Sequence, residues 1–72
     1  MHQDELIKVI KERRASLQVT QEILSELSEL SLRTIKQFES GKGNPTLKTL
    51  HRISDVLGLE VCLKLKALNS RK

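Results

Sequence analysis

One cysteine, Cys62, and two isolated histidines, His2 and His51, are all that this 72-residue chain offers as metal-binding nitrogen and sulfur. A single cysteine excludes an internal disulfide, and three such residues scattered this widely give no zinc-ligand spacing, so no metal and no cofactor are expected. Apolar runs are equally short. Nothing approaches the roughly 18 apolar residues that read as a membrane span. The start of the chain, MHQDELIKVIKERR, carries acids and bases throughout where a signal peptide would carry an apolar core. A cytoplasmic protein with no membrane partner is the expectation. Catalysis lacks its parts too. No Ser/His/Asp or Cys/His set is placed for nucleophilic attack, no paired carboxylates face a pocket, and Gly41-Lys42-Gly43 is too short for a phosphate loop. A chain near the lower limit for one self-sufficient core leaves little room for a catalytic cleft, and an enzyme is not expected.

What is present is positive charge, unevenly placed. The formal net charge is +4 and the pI about 9.6. Residues 22–29 hold Glu22, Glu26 and Glu29 with no base, whereas residues 33–52 hold Arg33, Lys36, Lys42, Lys48 and Arg52 against Glu39 alone. A cationic stretch of this kind favours a polyanionic partner.

The stretch Thr20–Gly41, TQEILSELSELSLRTIKQFESG, reads as two short helices about a tight turn. Thr20 caps the first, in which Ile23, Leu24 and Leu27 recur at helical spacing. Ser31 opens the second, Ile35 and Phe38 share one face, and Gly41 supplies the left-handed residue that stops it. Ser28-Glu29-Leu30 is short enough to force a sharp angle, which makes a helix-turn-helix. On the second helix Leu32, Arg33, Lys36 and Gln37 form a continuous face opposite Ile35 and Phe38. Arg can bridge guanine O6 and N7, Gln can pair with adenine, Lys can reach guanine or phosphate, and Leu can meet a thymine methyl. Any polar surface helix offers a solvated face; the preceding helix and turn are what favour DNA here.

Around this unit the chain supplies support. Residues 4–17 read as a first helix with Leu6, Ile7, Ile10 and Leu17 near one stripe, Asp4 and Glu5 in the first turn, and Arg13 and Arg14 at the end, as the helix dipole favours. Val19 can fold under the start of the second helix as a staple. Lys42–Pro45 is a turn, Thr46 caps a fourth helix, and Leu47, Leu50, Ile53 and Leu57 form its buried stripe up to Gly58. From Leu59 the period changes. Leu59, Val61, Leu63 and Leu65 alternate with Glu60, Cys62, Lys64 and Lys66, the rhythm of a strand. No other segment reads as a strand, and a lone strand leaves its backbone groups unpaired. Pairing with the same strand of a second copy is the economical solution, so a homodimer is expected, with Cys62 on the polar face of its ribbon.

Residues 10–58 resemble the DNA-binding domain of the lambda repressor and Cro superfamily, the XRE-type regulators. The likeness rests on Thr20-Gln21, Ser31-Leu32-Arg33-Thr34-Ile35, Glu39-Ser40-Gly41-Lys42 and Leu57-Gly58. It implies a mostly α, compact four-helix fold over residues 1–72, here with a C-terminal β-strand at about 59–66 that pairs across a dimer. By the same resemblance Gln21 hydrogen-bonds a phosphate and buttresses the reading helix. Ser31, Arg33, Thr34, Lys36 and Gln37 meet double-stranded DNA, and Lys42 holds its backbone. Arg14 and Glu39 match a buried ion pair that ties helix one to helix three. Two departures stand out. Glu29 occupies a turn position that usually carries Gly, so a left-handed glutamate is expected, and Ser28 stands where an apolar residue is common. Running the fourth helix into a terminal strand also resembles the HipB-type antitoxins, which neutralise a HipA-type kinase toxin. Two functions follow as expectations: a dimeric repressor on an inverted-repeat operator, or a protein-interaction module that grips a toxin and binds DNA as a co-function.

Overall fold

The architecture follows from three hydroxyl caps and four left-handed helix stops. A computed structural model describes residues 3–62, and these contain α1 (Gln3–Ser16), α2 (Gln21–Ser28), α3 (Leu32–Glu39) and α4 (Leu47–Val56). Thr20, Ser31 and Thr46 are extended residues whose side-chain oxygens accept the backbone N–H of Ile23, Thr34 and Thr49, each at 3.1 Å. Each satisfies one of the donors that a helix start leaves unpaired. At the other ends Gln18, Glu29, Gly41 and Gly58 all have φ between 58° and 81°. After α3 the Gly41 N–H donates to the Phe38 carbonyl and the Lys42 N–H to the Gln37 carbonyl. The same pairing recurs at Gln18-Val19, Glu29-Leu30 and Gly58-Leu59, so all four helices end in the Schellman arrangement.

The core is one cluster: Ile7 and Ile10 from α1, Leu24 from α2, Ile35 and Phe38 from α3, Ile53 and Leu57 from α4 and its cap. Leu6, Val19, Leu30, Leu50, Val56 and Leu59 pack against it. α2 packs on both α3 and α4, and α1 packs on α3. The reading of the apolar stripes needs correction in three places. Leu17 is exposed because α1 ends at Ser16 and Gln18 turns left-handed, which takes Leu17 off the helical face. On α2 the buried positions are Leu24 and Ser28, and Ile23 and Leu27 face outward. Leu47, the first residue of α4, is 61 % exposed, so the stripe of that helix begins at Leu50.

Two arginines do more than the sequence suggested. Arg13 donates Nε–H to the Leu57 carbonyl at 2.9 Å and so closes the C-terminal end of α4. Arg52 reaches the turn between α2 and α3. No strand occurs among the described residues: Leu59–Cys62 have no regular structure, and Leu63–Lys66 lie outside the described residues. A strand needs a ladder partner, and within the described chain Leu59 and Val61 have none.

Candidate nucleic-acid interface

The reading helix is held at both ends before any side chain on its outer face is considered. At its start Ser31 caps the Thr34 N–H, and the two hydroxyls lie 2.9 Å apart. At its end Glu39 is buried, and Arg14 grips it with a fork: Nε to Oε2 and Nη2 to Oε1, both 2.8 Å. The third Arg14 nitrogen, Nη1, donates to the Val19 carbonyl at 3.0 Å. Gln21, at the first position of α2, adds an amide N–H to Glu39 Oε1 at 2.9 Å. One carboxylate therefore ties together the end of α1, the start of α2 and the end of α3. Bidentate guanidinium–carboxylate bonds are among the strong, geometry-fixing contacts.

This network also decides the charge of the face. Glu39 is the only acid between residues 33 and 52, and its charge is consumed internally by Arg14. What α3 turns outward is Arg33, Lys36 and Gln37, all exposed, with Lys42 just beyond the helix. Leu32, Arg33, Lys36, Gln37, Ser40 and Lys42 line a shallow open depression of about 520 Å³. Leu32, which lines it, and Thr34 are half-buried. A smaller hollow of about 140 Å³ lies where Thr34, Gln37 and Lys42 meet Asn44, Thr46 and Thr49. Asn44, Thr46 and Thr49 were absent from the sequence-derived face. The turn at Pro45 brings them beside α3, and only their polar character and nearness to Lys42 in the chain hinted at it.

The structure thus gathers Leu32, Arg33, Lys36, Gln37 and Lys42 on one surface. Gln21 sits apart from their depression, at the start of α2, with one amide hydrogen committed to Glu39 and its carbonyl oxygen not engaged by that bond. The hydroxyls of Ser31 and Thr34 face each other across the cap. Among the described residues no group of His, Cys, Asp and Glu is placed to hold a metal ion, and no helix is long and apolar enough to cross a membrane.

A profile of the helix-turn-helix family matches residues 10–63, three quarters of the chain. The chain belongs to the XRE-type, lambda repressor-like helix-turn-helix family. This family's character, DNA binding in transcription regulation, agrees with the cationic outer face of α3. Among curated proteins, the chain is similar to one from Methanothermobacter thermautotrophicus described as an uncharacterized HTH-type transcriptional regulator. It is 40 % identical over 52 residues, which are 72 % of this chain and 75 % of that protein. In the present chain α2 and α3 are the two helices of the motif, and Glu29-Leu30-Ser31 is the turn between them.

Proposed function

We propose that this protein is a sequence-specific DNA-binding regulator that acts as a homodimer on an inverted-repeat operator, most simply as a repressor near its own gene. The observation that carries the reading is the outer face of α3: Arg33, Lys36 and Gln37 exposed together, with Glu39, the acid that would oppose a phosphate, turned inward onto Arg14. Arg33, Lys36 and Gln37 would read base edges in the major groove, and Leu32 would meet a thymine methyl. Gln21, Ser31, Thr34 and Lys42 would hold the sugar-phosphate backbone, which fixes register without carrying sequence information.

The dimer is supported by a second surface that shares no lining residue with the first. Leu6, Val9, Ile10, Leu50, Leu59 and Val61 line an apolar hollow of about 240 Å³ where α1, α4 and the segment after Gly58 meet. Val9 is 44 % exposed there. Alternating apolar residues continue as Leu63 and Leu65, so a second copy offering the same segment would cover this hollow and complete a two-stranded ribbon across the two-fold axis. An antitoxin that uses the same end of the molecule against a HipA-type toxin is the alternative reading.

The test is selection of bound sequences from a random duplex pool by the purified chain at about 150 mM salt. The expected product is an inverted repeat with half-site centres about 10–11 base pairs apart, because two reading helices on one face of B-DNA sit about 34 Å apart. Failure of folded protein to enrich any sequence would overturn the operator reading and leave the protein-interaction one.

A further inference from the structure

The turn between α2 and α3 sets the angle at which the reading helix leaves its support, and in this chain it is built with a strained residue. Glu29 has φ 62° and ψ 27°, the left-handed region, where a β-carbon costs about 1–2 kcal/mol. Local bonds hold part of the turn. Ser25 Oγ donates to the Leu30 carbonyl at 2.6 Å, and Ser28 Oγ donates to the Leu24 carbonyl at 2.6 Å. Arg52 reaches in from another helix. A single nitrogen, Nη1, donates to the Ser28 carbonyl and to Glu29 Oε1, both at 3.3 Å. Its base is rigid, since Ile53, the next residue of α4, is fully buried in the core.

We infer that Arg52 is a positioning residue for DNA reading: its bridge from α4 to Ser28 and Glu29 fixes the helix-turn-helix angle and so sets discrimination between operator and other sequences. The inference rests on the proposed DNA function. The physical link is geometric. Hydrogen bonds to base edges weaken steeply with misalignment and are the ones that carry sequence information, whereas phosphate contacts are the same on every sequence. A recognition helix must be held within about 0.5 Å and 10–20° of its productive placement for several such bonds to form at once. The ion pair itself is a weak contributor to stability, because Glu29 is 80 % and Arg52 36 % exposed in their side chains. Its effect belongs in specificity rather than in the melting temperature.

The experiment compares affinity for a selected operator duplex with affinity for a random duplex of equal length, using full-length wild type, Arg52→Met and Arg52→Lys. Far-UV circular dichroism fixes a temperature at which all three are folded. Arg52→Met keeps the apolar stem and removes the donor. Arg52→Lys keeps the charge and one nitrogen donor on a stem one bond shorter, so it approaches the two acceptors, already 3.3 Å from the guanidinium, less closely. The expected result is that Arg52→Met lowers the operator-to-random ratio about fivefold or more, with random-duplex affinity and its salt slope unchanged, and that Arg52→Lys falls between Arg52→Met and wild type. An unchanged ratio overturns the inference. So does an equal loss on both duplexes with the salt slope reduced by about 0.9, since that marks Arg52 as a phosphate contact. A wild type without any sequence preference is a separate outcome: it removes the DNA function on which the inference stands.

Discussion

At the scale of single residues, the Glu39 carboxylate carries more of this structure than any other polar group. Arg14 makes two bonds to it and Gln21 a third, and only 3 % of its side chain is accessible. Removing one partner of a buried pair leaves the other charge without compensation, at a cost of about 3–5 kcal/mol. Arg14 keeps 19 % of its side chain in solvent, so the lower end of that range applies. Glu39→Ala is therefore expected to lower the melting temperature by roughly 10 °C or more, while Glu26→Ala, at an exposed site, changes it little. Thermal unfolding followed by circular dichroism distinguishes these, and equal melting temperatures would refute a structural role for the pair. The two left-handed side-chain residues give the opposite sign. Replacing Gln18 or Glu29 by Gly relieves about 1–2 kcal/mol of strain against about 0.5–1 kcal/mol of added chain entropy. Both variants should be more stable by about 0.5–1 kcal/mol. Glu29→Gly also gives up the Arg52 contact, so it should gain less than Gln18→Gly; denaturant midpoints rank them.

At the scale of elements, the proposed DNA contacts divide between α3 and the turn that follows it. Arg33 and Gln37 stand on the outer face of α3, whereas Lys42 follows the helix stop. Arg33→Ala or Gln37→Ala is expected to relax base preference at its own position by about 1–3 kcal/mol, and Lys42→Ala to weaken all sequences alike. Binding profiles over single-base operator variants measure this, and identical profiles for the two classes would contradict the assignment. The element scale is also where apolar periodicity misled. On α2 the packed positions are Leu24 and Ser28, with Gln21 and Ser25 half-buried, so the inward stripe is mostly polar. Ser28 is tolerated there because its hydroxyl finds the Leu24 carbonyl. A hydrophobic count follows Ile23 and Leu27 instead, and those point outward.

At the scale of the whole molecule, the proposed dimer uses two surfaces with no lining residue in common: the cationic face of α3 and the apolar hollow lined by Leu59 and Val61. Sedimentation of the full chain at tens of micromolar should give a dimer. Val61→Asp should give a folded monomer, since a carboxylate in an apolar contact is strongly disfavoured. A monomeric wild type would count heavily against the two-fold operator. DNA affinity should fall steeply with salt, because each neutralised phosphate releases condensed counterions.

The sequence by itself determined most of the elements and which polar side chains share the outer face of α3. Caps at Thr20, Ser31 and Thr46, stops at Gly41 and Gly58, and the run Leu32 to Gln37 are local signals, since each depends on residues within one or two helical turns. Even the left-handed Glu29 was legible, from a turn position that usually carries Gly. Beyond the Arg14–Glu39 pair, which the family resemblance implied, tertiary structure decided what spans the chain. Arg52 joining the turn, Arg13 closing α4, and Gln21 completing the Glu39 cluster connect residues 18 to 44 positions apart. A long polar side chain has many partners within reach, and only packing of the core chooses among them.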